Sequence, residues 1–469
     1  MKFRLFGDFH VMAALAAGVL VAVTPARGDS TPALVERETV ITRINEALQP
    51  ASLAVSPDNR RMAAVAMVDA RFRVMVDGQY GRWYEDIGKN SIVFSPDSRH
   101  VAYVAKRAGK FFSVHDGVEG KPYDGISGTG VHFSPDGNRI AYGARRGKRW
   151  MVVSDGREGR LYDGLGRGLF FSPDSRRIAY AAVRNGKRVV VIDGQESPAH
   201  DNVGNPIVFS PDSRRVAHEI KRGGKVYVVA DGREQAAYDL LGDGSLKFSP
   251  DSRQLAYVAK SGDRWKIVID GKEVASHEAV GKDSVIHGAD SKRMVYAYSE
   301  GGKWFVSVDG QRHGPYDIIG NGSMIFSPDS KRFAFVASRD GKWRAIVDGK
   351  EGRAYETVVR DSLQFSPDSQ RLVYAARRDG SQRVVIDGQE GKPHDAIISP
   401  VFSPDSRRVA YEVKRGESSQ VAIDGRETRP VQGTLRGGKI TFSGPASFHF
   451  LAGRNNSFVR IDVDIRDQP

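Results

Sequence analysis

The chain of 469 residues contains no cysteine. That excludes disulfides, thiol nucleophiles, cysteine-based metal sites and a lipid-modified cysteine as a membrane anchor. It also has no apolar run of the about 20 residues that a membrane-spanning helix needs. The run from Val11 to Val23 stops at 13 residues. Gly-x-Ser-x-Gly and His-Glu-x-x-His are both missing, which removes the commonest signatures of a serine hydrolase and a zinc peptidase.

The amino terminus reads as a leader over residues 1–28. Lys2 and Arg4 precede the apolar run, and Ala26-Arg27-Gly28 offers small residues for cleavage. The remainder is then expected outside the cytoplasm, in the periplasm or secreted, with no transmembrane span after leader removal. A formal charge of +13 implies affinity for polyanions. Export argues against nucleic acid, leaving an envelope protein or an acidic glycan as the expected partner.

Most of the chain repeats. Ser-Pro-Asp begins at Ser56, Ser95, Ser134, Ser172, Ser210, Ser249, Ser327, Ser366 and Ser403, with Gly288-Ala289-Asp290 as a degraded copy, at intervals of 37 to 39 residues. Asp-Gly keeps the same rhythm ten times, from Asp77 to Asp424. In the third unit Gly130 to Phe133, Arg139 to Arg145, Arg149 to Ser154 and Arg160 to Tyr162 read as four strands. The proline presets a turn, its following aspartate reaches a backbone N–H two residues on, and Asp-Gly supplies the positive φ of a two-residue hairpin.

The middle strands, such as Ile140 to Ala144 and Trp150 to Val153, are apolar at odd and even positions alike, so both faces must be covered. Blades stacked around an axis cover both faces of every sheet. The expected fold is therefore all-β: a β-propeller of ten to eleven four-stranded repeats over residues 51–469. Its closing blade combines strands near residues 439–443, 447–451 and 458–463 with one from the N-terminal segment 29–50, at Glu38 to Ile44. Eleven blades exceed the usual four to eight, which favours two packed rings, split near residues 285–292, over one large ring.

Phe133-Ser134-Pro135-Asp136 followed by Ile140-Ala141-Tyr142 resembles the WD-repeat-like, TolB-type β-propeller repeats of bacterial periplasmic and surface proteins. The likeness extends over residues 51 to about 463 and implies a binding platform, a part of an envelope complex or a non-catalytic propeller domain. TolB-type proteins carry a separate N-terminal α/β domain and fewer blades, whereas only about 20 residues stand between the leader and the first repeat here.

The candidate chemistry is sparse. His200, His277 and His394 occupy the slot of Tyr123, Tyr162, Tyr238 and Tyr316, and His218 that of Tyr142 and Tyr180, so they read as aromatic replacements. The aspartates read as turn caps, and Gly242-Asp243-Gly244 and Gly320-Asn321-Gly322 as turns between a fourth strand and the next first strand. No catalytic residue, metal site or cofactor is expected.

The hairpins between second and third strands stand out. In units two to five they carry Lys106, Arg107, Lys110, Arg145, Arg146, Lys148, Arg149, Arg184, Lys187, Arg188, Lys221, Arg222 and Lys225 with no acid among them. In units seven to ten Glu300, Asp340, Asp379 and Glu417 interrupt the pattern. These hairpins share one propeller face, so the sequence predicts a basic arc for an anionic partner, or edges kept soluble by charge. The expected function is a non-catalytic scaffold; an enzyme acting on a glycan or small molecule in the channel, or a purely structural envelope component, are the alternatives.

Overall fold

A computed structural model describes residues 20–22, 33–43, 47–435 and 438–466. Most of residues 1–28, the span expected from the sequence to be a leader, lies outside the described residues. Leu20–Ala22 forms a short strand beside Ala33–Arg43. The described residues form eleven antiparallel sheets and no α-helix, and no helix is long and apolar enough to cross a membrane.

Blade 3 shows the unit. Gly125–Phe133, Ile140–Arg146, Arg149–Ser154 and Arg157–Glu158 pair in chain order. The fourth strand continues to the bridge between Trp150 and Tyr162. All ten Asp-Gly turns have the aspartate at φ 47–52° and the glycine at φ 74–84°, the pair of positive values that a type I′ hairpin requires. First strands of neighbouring blades touch, as Val208–Phe209 does Lys247–Phe248, which places them at the axis.

One expected connection differs. Gly242-Asp243-Gly244 lies inside the first strand of blade 6: Leu240–Leu241 and Lys247–Phe248 both pair with Leu255–Ser261, and the glycines bulge between them. Gly320-Asn321-Gly322 does the same in blade 8. The small residues lie where the innermost strand leaves its ladder.

Alternate residues of each middle strand serve different neighbours. Tyr142 and Ala144 pack with Ala102, Val104 and Tyr123 of blade 2, whereas Ala141 packs with Tyr162 of its own blade and with Tyr180 of blade 4. Every seam is thus a separate small core. Met62, Ala64 and Met75 of blade 1 meet Leu435 and Leu451 of blade 11, which closes the circuit. The chain is one ring of eleven blades.

The split into two rings near residues 285–292 does not occur. Ala256, Val258 and Ile267 of blade 6 pack on Val285, Tyr296 and Phe305 of blade 7, whose Val295 and Val306 pack in turn on Phe333 and Phe335 of blade 8. A fully buried aliphatic side chain is worth about 1.5–3 kcal/mol and an exposed ion pair about 0–1, so unbroken seams decide the architecture.

The ring closes in a blade built from both ends of the chain, its N-terminal strand at Ala33–Arg43 where the sequence predicts Glu38 to Ile44, of which Ile44 lies outside the described residues. Thr441–Gly444, Ser447–Arg454 and Ser457–Arg466 supply three strands of blade 11, and Ala33–Arg43 pairs antiparallel with the third, from Ala33 opposite Arg466 to Arg43 opposite Ser457. Leu34 joins the core there, and the buried Glu36 takes the backbone N–H and the Nε of Arg429 at 2.7 and 3.0 Å.

Candidate functional sites on the two faces of the ring

The hairpin face carries the thirteen basic residues, and nine of them meet a carboxylate. Arg107, Arg146, Arg184 and Arg222 pair with Glu119, Glu158, Glu196 and Glu234 of their own fourth strands. Lys110, Arg149, Lys187 and Lys225 pair with Asp124, Asp163, Asp201 and Asp239, and Lys221 lies 3.8 Å from Glu219. The aspartates after the fourth-strand aromatics also cap the next hairpin: Asp124 accepts from the Gly147 N–H at 2.7 Å and from Lys110 Nζ at 2.6 Å. These contacts hold the Asp124 carboxyl below its ordinary range, as its counterparts do at Asp201 and Asp239.

Lys106, Arg145, Lys148 and Arg188 remain without a carboxylate partner among the described residues. Arg145 donates to the carbonyls of Asp124 and Gly147 and lies over Trp150, and Lys106 lies over Phe111. All four belong to the adjacent blades 2, 3 and 4.

The opposite face is built from the Ser-Pro-Asp and Asp-Gly turns, which interlock. In blade 4, Ser172 Oγ donates to Asp174, Asp174 accepts from the Arg176 N–H, and Arg177 Nε donates to Asp193 at 2.9 Å. Arg177 also reaches the carbonyls of Ser213 and Arg214 in blade 5, and Ser213 Oγ accepts from the Asp174 N–H. Hydrogen bonds from the serine and the backbone hold Asp174 below its usual value. The sequence reading of these aspartates as turn caps is met.

Eight blades place arginine at the position of Arg177, each paired with its Asp-Gly aspartate. Blade 2 has His100 there and blade 6 has Gln254. His100 Nδ1 lies 2.6 Å from Asp116 Oδ2, and His115 Nε2 lies 3.6 Å from the same oxygen. Gly137 of blade 3 replaces the serine that elsewhere accepts from the preceding blade, so blades 2 and 3 share neither turn-face link. A cavity of about 730 Å³ bordered by His115, Asp116, Tyr123 and Tyr142 lies at this seam.

A second irregularity concerns the aromatic slot. Fourth-strand and second-strand tyrosines of neighbouring blades meet edge to face with centroids 6.1–6.3 Å apart, as in Tyr123–Tyr142 and Tyr238–Tyr257. The sequence reading of His277 and His394 as replacements fits, since they stand against Tyr296 and Tyr411. Between blades 4 and 5 both positions are histidine. His200 and His218 are each 4% exposed, their Nδ1 atoms have no hydrogen-bond partner, and they border a cavity of about 500 Å³ with Glu196 and Glu234. Burial pushes both imidazoles below their ordinary value, His218 to about 4.

His100 and His115 stand outside the tyrosine slot, so comparison of the histidines with that slot does not reveal the His100–His115–Asp116 group. The signal lay in two other slots: the arginine position, and the residue before Asp-Gly, which is otherwise aliphatic or serine.

No protein-family model matches the sequence, and no curated protein matches it. Solved structures similar to it include TolB from Acinetobacter baumannii, with 14% identity and a TM-score of 0.25 over 62% of this chain and 78% of that one. The β-propeller domain of the Trilobed protease from Pyrococcus furiosus gives 16% and 0.28 over 58% and 96%. The dihydro-heme d1 dehydrogenase NirN gives 15% and 0.32 over 84% and 77%. The likeness to each is one of fold.

Proposed function

We propose that the protein is a non-catalytic binding scaffold of the bacterial periplasm or cell envelope, engaging a protein or acidic-glycan partner through a propeller face. The observation behind this reading is the use of its polar groups. The recurrent carboxylates act as turn caps, inter-blade links and hairpin partners, which makes a rigid ring. Against that background Lys106, Arg145, Lys148 and Arg188, on three neighbouring blades, carry positive charge with no carboxylate in ion-pair contact among the described residues. Such charge steers an anionic partner and weakens with salt, since the Debye length is about 10 Å at 0.1 M.

The test is capture from an envelope extract at low salt. A variant with all four changed to glutamine should lose the captured partner while keeping the β-sheet circular dichroism of the parent; Lys148 is exposed, Lys106, Arg145 and Arg188 are half-buried, and Arg145 also gives up its bonds to the Asp124 and Gly147 carbonyls. A control with the paired Arg222 and Lys225 changed to glutamine should retain it. Equal capture by the fourfold variant and the parent would overturn the reading.

A further inference from the structure

We propose that blade 2 carries a binding site for a divalent ion of the zinc type, held by His100, His115 and Asp116. One nitrogen of each imidazole and one carboxylate oxygen lie within 4.8 Å of one another. A tetrahedral zinc ion with ligands at about 2.0–2.2 Å sets such atoms roughly 3.3 Å apart. The observed 2.6 and 3.6 Å bracket that separation, so small side-chain rotations suffice. Two imidazoles and a carboxylate suit zinc and its first-row neighbours and suit magnesium or calcium poorly.

Three features support this group, the last of them particular to blade 2. His115 Nε2 is a buried ring nitrogen with no hydrogen-bond partner. The two rings lie 5.3 Å apart with a 48° tilt, and His115 also packs against Phe133 at 5.7 Å. Finally, blade 2 forgoes the arginine that in seven other blades links to the next one, placing an imidazole at the Asp-Gly aspartate instead. The three side chains are 35%, 37% and 42% exposed, so an ion held here keeps coordination positions open to water or to a donor from another molecule. This site lies on the turn face and does not depend on the hairpin-face reading.

Zinc alone, titrated calorimetrically into metal-stripped, untagged protein, is the probe. One ion per chain should bind saturably. His100→Arg restores the residue of eight other blades, and His115→Val the residue of blades 1, 7 and 8, so both variants should stay folded by circular dichroism and melting. Each should weaken zinc binding by about tenfold or more, because a direct ligand is lost. His218→Tyr should leave it unchanged. The proposal is overturned by no saturable binding at millimolar zinc, by unchanged binding in folded His100→Arg and His115→Val, or by loss of binding in folded His218→Tyr.

Discussion

A chain starting at residue 47 should fail to close the ring, whereas one starting at residue 33 should retain it. Removing Ala33–Arg43 exposes the backbone of Ser457–Arg466 along its full length and uncovers the core that Leu34 seals. Buried Leu34 and Val35 account for about 1.5–3 kcal/mol each, and each lost ladder hydrogen bond for about 0.5–1.5 net. The sum exceeds about 5 kcal/mol, comparable with the whole stability of many domains. Denaturant unfolding should show a much lower midpoint for the shorter chain, and sedimentation should show association through the bared edge. Coincident unfolding curves for the two chains would sink the closing role of this strand.

Acidification should weaken the seam between blades 4 and 5 well before it reaches the carboxylates. The His218 imidazole takes up its proton near 6.5 in the unfolded chain and only near 4 in the folded one, because burial and the neighbouring His200 oppose the charge. Stability from this group is therefore intact above pH 6.5, declines as pH falls towards 4, and levels off below, for a loss of roughly 3 kcal/mol. The turn aspartates are held below their ordinary value of 3.8, so their contribution disappears at lower pH. His218→Tyr recreates the His–Tyr pair of the seam between blades 9 and 10. Its unfolding free energy should fall less steeply between pH 6.5 and 4 than that of the parent. Parallel curves for the two proteins would show that His218 does not carry the effect.

The blades were legible in the sequence because their turns are local. Ser-Pro-Asp and Asp-Gly specify backbone dihedrals within a few residues, and Tyr142-type positions recur with the same partners. The closing strand was legible too, since residues 439–463 spell three strands of a four-stranded unit. Ring number was not. It depends on how Ala141, Tyr162 and Tyr180 fill a seam between units, a fit in side-chain shape that no repeat interval records.

The basic hairpins were legible as a pattern of charge but not as a surface. Glu119 stands 12 residues after Arg107, and Asp124 stands 14 after Lys110, both beyond the hairpin itself. Strand pairing folds these acids back onto the bases. His100 and His115 lie 15 residues apart with nothing in their spacing to connect them; the register that sets Ala102 opposite His115 brings them together.

Among the nine seams from blade 1 to blade 10, the joint between blades 2 and 3 alone lacks both turn-face links among the described residues. Its apolar core is intact, so the joint holds, but one rim is unlaced there. A closed ring cannot flex at one place without the remainder following, and deformation gathers where resistance is lowest. The ring therefore has an orientation that its repetition conceals: a compliant point at blades 2 and 3, and a stiff arc through blades 7 to 10 opposite.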